Sequence, residues 1–362
     1  MRRILLILNV VGYGLFAAVT AFPCTTFVLQ GDGRIYLGRN LDWDWEDGLV
    51  VVNQRNVKKT ALVAQGHSPA KWTSKYGSVT FNQFGQEQPY GGMNEAGLVV
   101  EQMTLFESQY PPADSRPEID MLQWIQYQLD NCSNVAEVVA TDGKIRLEQP
   151  TVPARIHYLV CDAAGDCATI EFLEGKMVCH RGPTLPYRAL ANSTYEQSVA
   201  YARTNPVPAG ASERLKDTPS LSRFARAATR AAGFRPVTPK QDVEYAFETL
   251  EQVRQGKSTV WQIVYDVSAR RIHYRTESNP QRRTLELKTL DFACARSVKF
   301  VDMQANASAT GALILLDLSE VRHRRYLEAF LAQESLKQAF SDLTAMIEPV
   351  LLMLRGNTCA DQ

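Results

Sequence analysis

Strand-like runs fill the first third of this chain, and clusters of Gly, Asn and Pro separate them. Residues 25–30 and 34–39 flank Gly31-Asp32-Gly33, a turn whose glycines accept positive φ, so a hairpin opens the series. Further runs follow at 49–53, 60–63, 78–82 and 97–103. Then the period changes. Residues 119–129 set Ile119, Leu122, Ile125, Gln126 and Leu129 near helical spacing, and 133–140 reads as a second helix with Ser133 as N-cap. Strands return at 156–160 and 168–172. Helical patterns follow at 221–232, stopped by Gly233, and at 239–252, where Thr238-Pro239 supplies a cap and a first-turn proline. A hairpin at 259–267 and 271–275, one more strand at 284–290 and an amphipathic tail in two pieces over 319–354 complete the pattern. Strands and helices in separate blocks, without an internal repeat or a long linker, predict one α+β domain over 24–362, with a C-terminal helical extension from about residue 318.

Composition narrows the function. At 362 residues and 45% hydrophobic, the chain has ample material for a core. Lys+Arg and Asp+Glu both number 39, so the net charge gives no electrostatic ground for a nucleic acid or an acidic surface as partner.

Residues 1–23 are a different object. Arg2 and Arg3 precede an apolar run at 4–8, no charge follows through residue 23, and small residues gather near the end. This is the pattern of a cleaved signal peptide, which predicts an exported protein, periplasmic or secreted, with no stable membrane association after processing. A single membrane anchor competes, because residues 4–23 are long enough to span a bilayer. Val19-Thr20-Ala21 suits a signal peptidase, yet a cut there leaves Phe22-Pro23 ahead of Cys24. Either the cut falls elsewhere or a second trimming step follows. A lipid-anchored Cys24 is a lesser alternative, since no small residue precedes it.

Export bears on the cysteines. They stand at 24, 132, 161, 167, 179, 294 and 359, an odd number for an oxidising compartment, so pairing would leave one over. Cys161 and Cys167 flank a turn-rich insert between two strand-like runs, where a cross-hairpin disulfide and two buried thiols are both open. No CxxC pair exists, and His67, His157, His180, His273 and His323 show no metal-ligand spacing. A zinc enzyme is disfavoured, and no metal or cofactor is expected.

Cys24 is the first candidate for chemistry. Processing that frees its amine would put a thiol nucleophile and a base of ordinary pKa about 7.7–8 on one residue. The bland alternative is a signal-proximal cysteine that pairs or anchors. The neighbouring motifs move the balance: Cys24-Thr25-Thr26-Phe27, Gly38-Arg39-Asn40-Leu41-Asp42, Gly92-Met93-Asn94-Glu95-Ala96-Gly97-Leu98, Asn192-Ser193 and Leu221-Ser222-Arg223-Phe224. In this order and spacing the chain, from Cys24 to about residue 290, resembles the choloylglycine hydrolase and penicillin V acylase family. The resemblance implies an N-terminal nucleophile hydrolase, a four-layer αββα sandwich of two antiparallel sheets between helices, that cleaves linear amide bonds.

It also implies roles. Cys24 would attack the amide carbonyl, and Arg39 would favour its thiolate. Asp42 would orient the new α-amine, Asn192 would donate to the oxyanion, and Arg223 would balance Asp42. Singly, each has a structural reading: an Arg39–Asp42 ion pair, a turn at Asn192, a solvated helix face for Arg223 with Arg226 and Arg230. Two departures stand out. Thr104 occupies the place of a second oxyanion-region Asn, and the turn after Asn192 lacks the family's usual Pro.

Trp43 and Trp45 follow Asp42, and Met103, Leu105 and Phe106 follow the GMNEAGL strand. With Thr104, residues Trp43, Trp45, Met103 and Phe106 are therefore expected at a substrate site for an apolar acyl group. The partner expected is a small N-acyl amide of the penicillin V, N-acyl homoserine lactone or conjugated bile acid type. A secreted non-catalytic binding protein and an acyltransferase are the competing functions, and homo-oligomerisation is left open.

Overall fold

The opening alternation becomes two long antiparallel strands, β1 (Thr25–Gly31) and β2 (Arg34–Asp42), in register from Thr25↔Asn40 to Gly31↔Arg34. Asp32 and Gly33 both take positive φ, the geometry that matches a tight turn to the twist of its strands. In this computed structural model the described residues are 23–150, 155–208, 219–294, 297–306, 313–334, 336–337 and 343–360. Residues 1–22, the expected leader apart from Pro23, lie outside them. Among the described residues no helix is long and apolar enough to cross a membrane.

The next strands are β3 (Leu49–Asn53), β4 (Ser78–Asn82), β5 (Pro89–Asn94) and β6 (Val99–Thr104). Then come β7 (Ile156–Cys161), β8 (Cys167–Leu173), β9 (Lys176–Arg181) and β10 (Ala189–Leu190). The last are β11 (Thr259–Asp266), β12 (Arg271–Thr276), β13 (Arg283–Glu286), β14 (Lys299–Asp302) and β15 (Leu316–Asp317). They form two antiparallel sheets, one in the order β10-β1-β2-β11-β12-β13 and the other β9-β8-β7-β6-β5-β4-β3-β14-β15. Phe81 meets Trp261, Tyr265 and Tyr274 between them, and Tyr265 donates to Glu101 across the gap.

Helices cover both outer faces. Helix α1 (Met121–Asn131), capped by Asp120, packs on β5 and β6, and the short α2 (Val135–Ala140) follows it. On the other side α3 (Tyr195–Thr204), α4 (Ser220–Gly233) and α5 (Pro239–Gln252) pack against one another and on β1, β2 and β11. The result is the expected αββα order. The tail gives α6 (Glu320–Leu331), capped by Ser319, and α7 (Ile347–Arg355), with their own apolar cluster around Leu327, Phe330, Leu331 and Ile347.

Some local expectations shift. The run at 60–63 is not a strand; the strand is Val57–Thr60, which pairs with Lys71–Thr73. Glu118–Ile119 pairs in parallel with Arg146–Leu147, so the first helix begins after Asp120, and Asn134 replaces Ser133 as the next cap. Cys161 and Cys167 stand opposite in register and are bonded, and Cys294 is bonded to Cys359. Cys24, Cys132 and Cys179 remain thiols, three rather than one, because Cys132 closes the C-terminus of α1 while Cys179 sits on β9.

Candidate active site

Cys24 immediately precedes β1, so the hairpin register that pairs Thr25 with Asn40 sets it beside Leu41 and Asp42. Along β2 the side chains alternate. Arg39 turns toward the second sheet, where Nε lies 3.4 Å from Glu101 and Nη1 donates to the Gln102 carbonyl, and Asn40 turns outward to donate to Leu250 of α5. Cys24 and Arg39 are both buried. Burial pushes the Cys24 thiol above its ordinary range; Arg39, a hydrogen bond from the Asp42 backbone N–H, and Arg223 pull it back, and the Asp42 charge opposes them.

Asp42 ends β2 opposite Thr259, where an irregularity in the β2–β11 ladder leaves Val260 as an extra residue. The Thr259 hydroxyl donates to Asp42 Oδ1, and Oδ2 is buried with no hydrogen-bond partner among the described residues. Desolvation raises the Asp42 carboxyl to about 6, against the pull of Arg223, the Thr259 bond and Arg39. Arg223 comes from α4, which lies over β1. Its Nη1 donates to the Cys24 carbonyl and to Thr25 Oγ1, and Nη2 donates to Asn192 Oδ1 at 2.8 Å. Asn192 Nδ2 donates to the Thr104 carbonyl at 2.9 Å. Five residues spread over 200 positions of sequence thus form one connected polar cluster around Cys24. Arg223 is 1% exposed, not on a solvated face.

An apolar cavity of about 320 Å³ opens against Cys24. Leu41, Trp43, Phe84, Tyr90 and Ile156 line it, together with Thr104, and its far side is built by α6, α7 and the turn before α7. Of the residues expected at a substrate site, Trp43 and Thr104 lie on this wall. The other three lie elsewhere. Met103 is fully buried on the opposite face of β6, as the two-residue period of a strand requires. Phe106 lies beyond the strand, 44% exposed, and Trp45 packs against the C-terminal apolar cluster.

Several residues at the site carry no motif. Tyr90 touches Trp43 edge-on. Glu101, raised to about 7 by burial, faces Arg39 and accepts from Tyr265. His157 is wholly buried; Nε2 donates to the Ala191 carbonyl at 2.8 Å and Nδ1 faces Glu171, which also accepts the Tyr195 N–H. This braces the turn that carries Asn192. The one available signal was polarity inside otherwise apolar strand runs. Near the cavity rim the fold also gathers His67, Glu118 and Glu148, side chains able to hold a cation, with Glu118 already paired to Arg146. Their wide spacing in sequence hid the group.

Two antiparallel sheets between helix layers, with a cysteine at the head of the first strand, define the chain as an N-terminal nucleophile hydrolase by fold. Residues 24–300 match the model of the linear amide C–N hydrolases, choloylglycine hydrolase family, and the chain belongs to that family; it is an amide C–N hydrolase. It is 28% identical over 338 aligned residues to the penicillin V acylase of Pectobacterium atrosepticum, covering 79% of this chain and 86% of that one. The solved penicillin V acylase of Agrobacterium tumefaciens superposes with a TM-score of 0.70 at 26% identity, over 81% of this chain and 98% of that one. A mutant conjugated bile acid hydrolase of Clostridium perfringens shares the fold, with a TM-score of 0.62 at 18% identity over 82% and 100%.

Proposed function

We propose that the chain hydrolyses N-acyl amides bearing an apolar acyl group through a thioester on Cys24, after a cut ahead of that residue frees its α-amine. The observation that carries this reading is the two-sided setting of Cys24: an apolar cavity in front, and Arg39, Asp42 and Arg223 behind. The cut implies an exported protein, periplasmic or secreted, whose leader is removed.

In this reading the thiol proton passes to the α-amine, and the sulfur attacks the amide carbonyl. Arg39 offsets the charge on sulfur in a site where burial and the Asp42 charge oppose it. The vacant lone pairs of Asp42 Oδ2 accept from the ammonium. Asn192, its Oδ1 held by Arg223, turns its NH₂ from the Thr104 carbonyl to the oxyanion as that charge forms. As the C–N bond breaks, the ammonium proton goes to the leaving nitrogen. Water then attacks the thioester, releasing the carboxylic acid and regenerating the thiol. Penicillin V and conjugated bile acids, named in the relatives, both fit the general scheme of an apolar acyl group on an amide.

The test compares processed wild-type protein with Cys24→Ala on a panel of N-acyl amides, with the N-terminus weighed by mass spectrometry. The expected result is a chain beginning at Cys24 and a loss of about a thousandfold or more in the alanine variant. Equal cleavage by both would overturn the mechanism.

A further inference from the structure

The family match ends at residue 300, yet the cavity does not. Its far wall is made by Leu327 and Leu331 of α6, by Leu343 and Met346 ahead of α7, and by Ile347 and Val350 of α7. This segment is fastened to the body at several points. Phe330 meets Phe84 edge-on at 4.9 Å, the Gln86 backbone N–H donates to His323 Nε2, and Gln123 of α1 donates to Met353 sulfur. Beyond α7, Thr358–Cys359 pairs with strand Val57–Thr60, and Cys359 is bonded to Cys294. Ion pairs Arg324–Glu348 and Arg355–Glu320 tie α6 to α7.

Among the described residues, every one that this segment gives to the lining is aliphatic or Pro or Met, so the described stretch of wall supplies no polar side chain. A hydroxylated group pressed there would lose its water without gaining a partner, at a cost of several kcal/mol. Unbranched Met346 instead adapts to a flexible hydrocarbon by changing rotamer, while Leu, Ile and Val give it apolar contact. The volume falls at the small end of small-molecule sites.

We infer that the C-terminal helix pair is the specificity wall of this hydrolase: it receives the distal end of an unsubstituted aliphatic acyl chain and sets the chain length accepted. The inference rests on the amidase reading, in which the acyl carbonyl lies at Cys24. The cavity reaches from the buried nucleophile to α6, α7 and the part-exposed Met346, so its extent measures the chain from its reacting end.

The test uses 4-nitroanilides of butanoic, octanoic, dodecanoic and phenoxyacetic acids with the processed enzyme. Met346 is 38% exposed while lining the cavity, so Met346→Trp narrows the far end with little demand on the core; Val350→Phe narrows it from within α7. Each is expected to lower kcat/KM for the dodecanoyl anilide about 10- to 100-fold, the range for methylenes refused by an apolar pocket. The dodecanoyl-to-butanoyl ratio of kcat/KM should fall by that factor, and thermal unfolding reports that the variants fold. An unchanged dodecanoyl-to-butanoyl ratio, or a larger loss with the phenoxyacetyl substrate, overturns the inference.

Calorimetric binding of N-dodecanoyl glycine amide to the Cys24→Ala protein separates this from the amidase reading. With Met346→Trp added, affinity should weaken about tenfold or more, and unaltered affinity overturns the wall whatever the catalytic result. Wild-type protein that binds this ligand but cleaves no anilide contradicts the amidase reading alone.

Discussion

Asp42→Asn offers a test in which stability reports on the state of the neighbouring Cys24 amine. With the peptide link ahead of Cys24 intact, the buried Asp42 carboxyl is raised from 3.8 to about 6, chiefly by desolvation. An acid that holds its proton more tightly when folded contributes stability fully present below pH 3.8 and lost as pH rises through about 6. A rise of about two pH units, at about 1.4 kcal/mol each, makes that loss about 3 kcal/mol by neutral pH. The Asp42→Asn chain cannot ionise at this position, so the stability of wild type relative to the variant should fall by this amount between about pH 4 and about pH 7.5. Urea unfolding across that range measures it. In a chain beginning at Cys24, the ammonium beside Oδ2 stabilises the carboxylate, and the fall should shrink. A flat difference in the uncleaved chain, or the same fall in both chains, refutes the reasoning.

Asn192→Ala should lower kcat about 100- to 1,000-fold, as expected for loss of an oxyanion donor, measured at saturating substrate. Lys59 is buried between Glu87 at 2.8 Å and Asp130 at 2.9 Å. Lys59→Ala leaves both acids without their cation and should cost about 3–5 kcal/mol in urea unfolding. Cys359→Ser opens a loop of 65 residues, worth up to about 4 kcal/mol by chain entropy. Unfolding under non-reducing conditions checks that figure.

The hairpin at the head of the chain was legible because alternation and a Gly-Asp-Gly turn fix strands and register locally, and α5 because Thr238 and Pro239 mark its start. Helix α3 was missed: its sequence, from Tyr195 to Thr204, carries only a weak apolar stripe, and the helix is held by α4. The start of α1 was misplaced because the pairing of Glu118–Ile119 with Arg146–Leu147 is non-local. At the site, Cys24, Arg39 and Asp42 were readable together since one hairpin brings them close, while Asn192 and Arg223 needed the motif order. Glu101, His157 and Glu171 carry no motif; only the packed sheets reveal what they face. Met103 was expected at the cavity, but the placement of Thr104 on that wall turns its neighbour to the other face. The far wall could not be read, since nothing local ties residues 327–350 to Cys24.

Rapid quenching of the processed enzyme during turnover of an N-acyl amide, followed by mass spectrometry of the N-terminal peptide, tests the central claim most directly. The account predicts a peptide that begins at Cys24, carries the acyl group on sulfur and loses it to hydroxylamine. Steady amide cleavage with an unmodified Cys24, or with residues still attached ahead of it, contradicts the account.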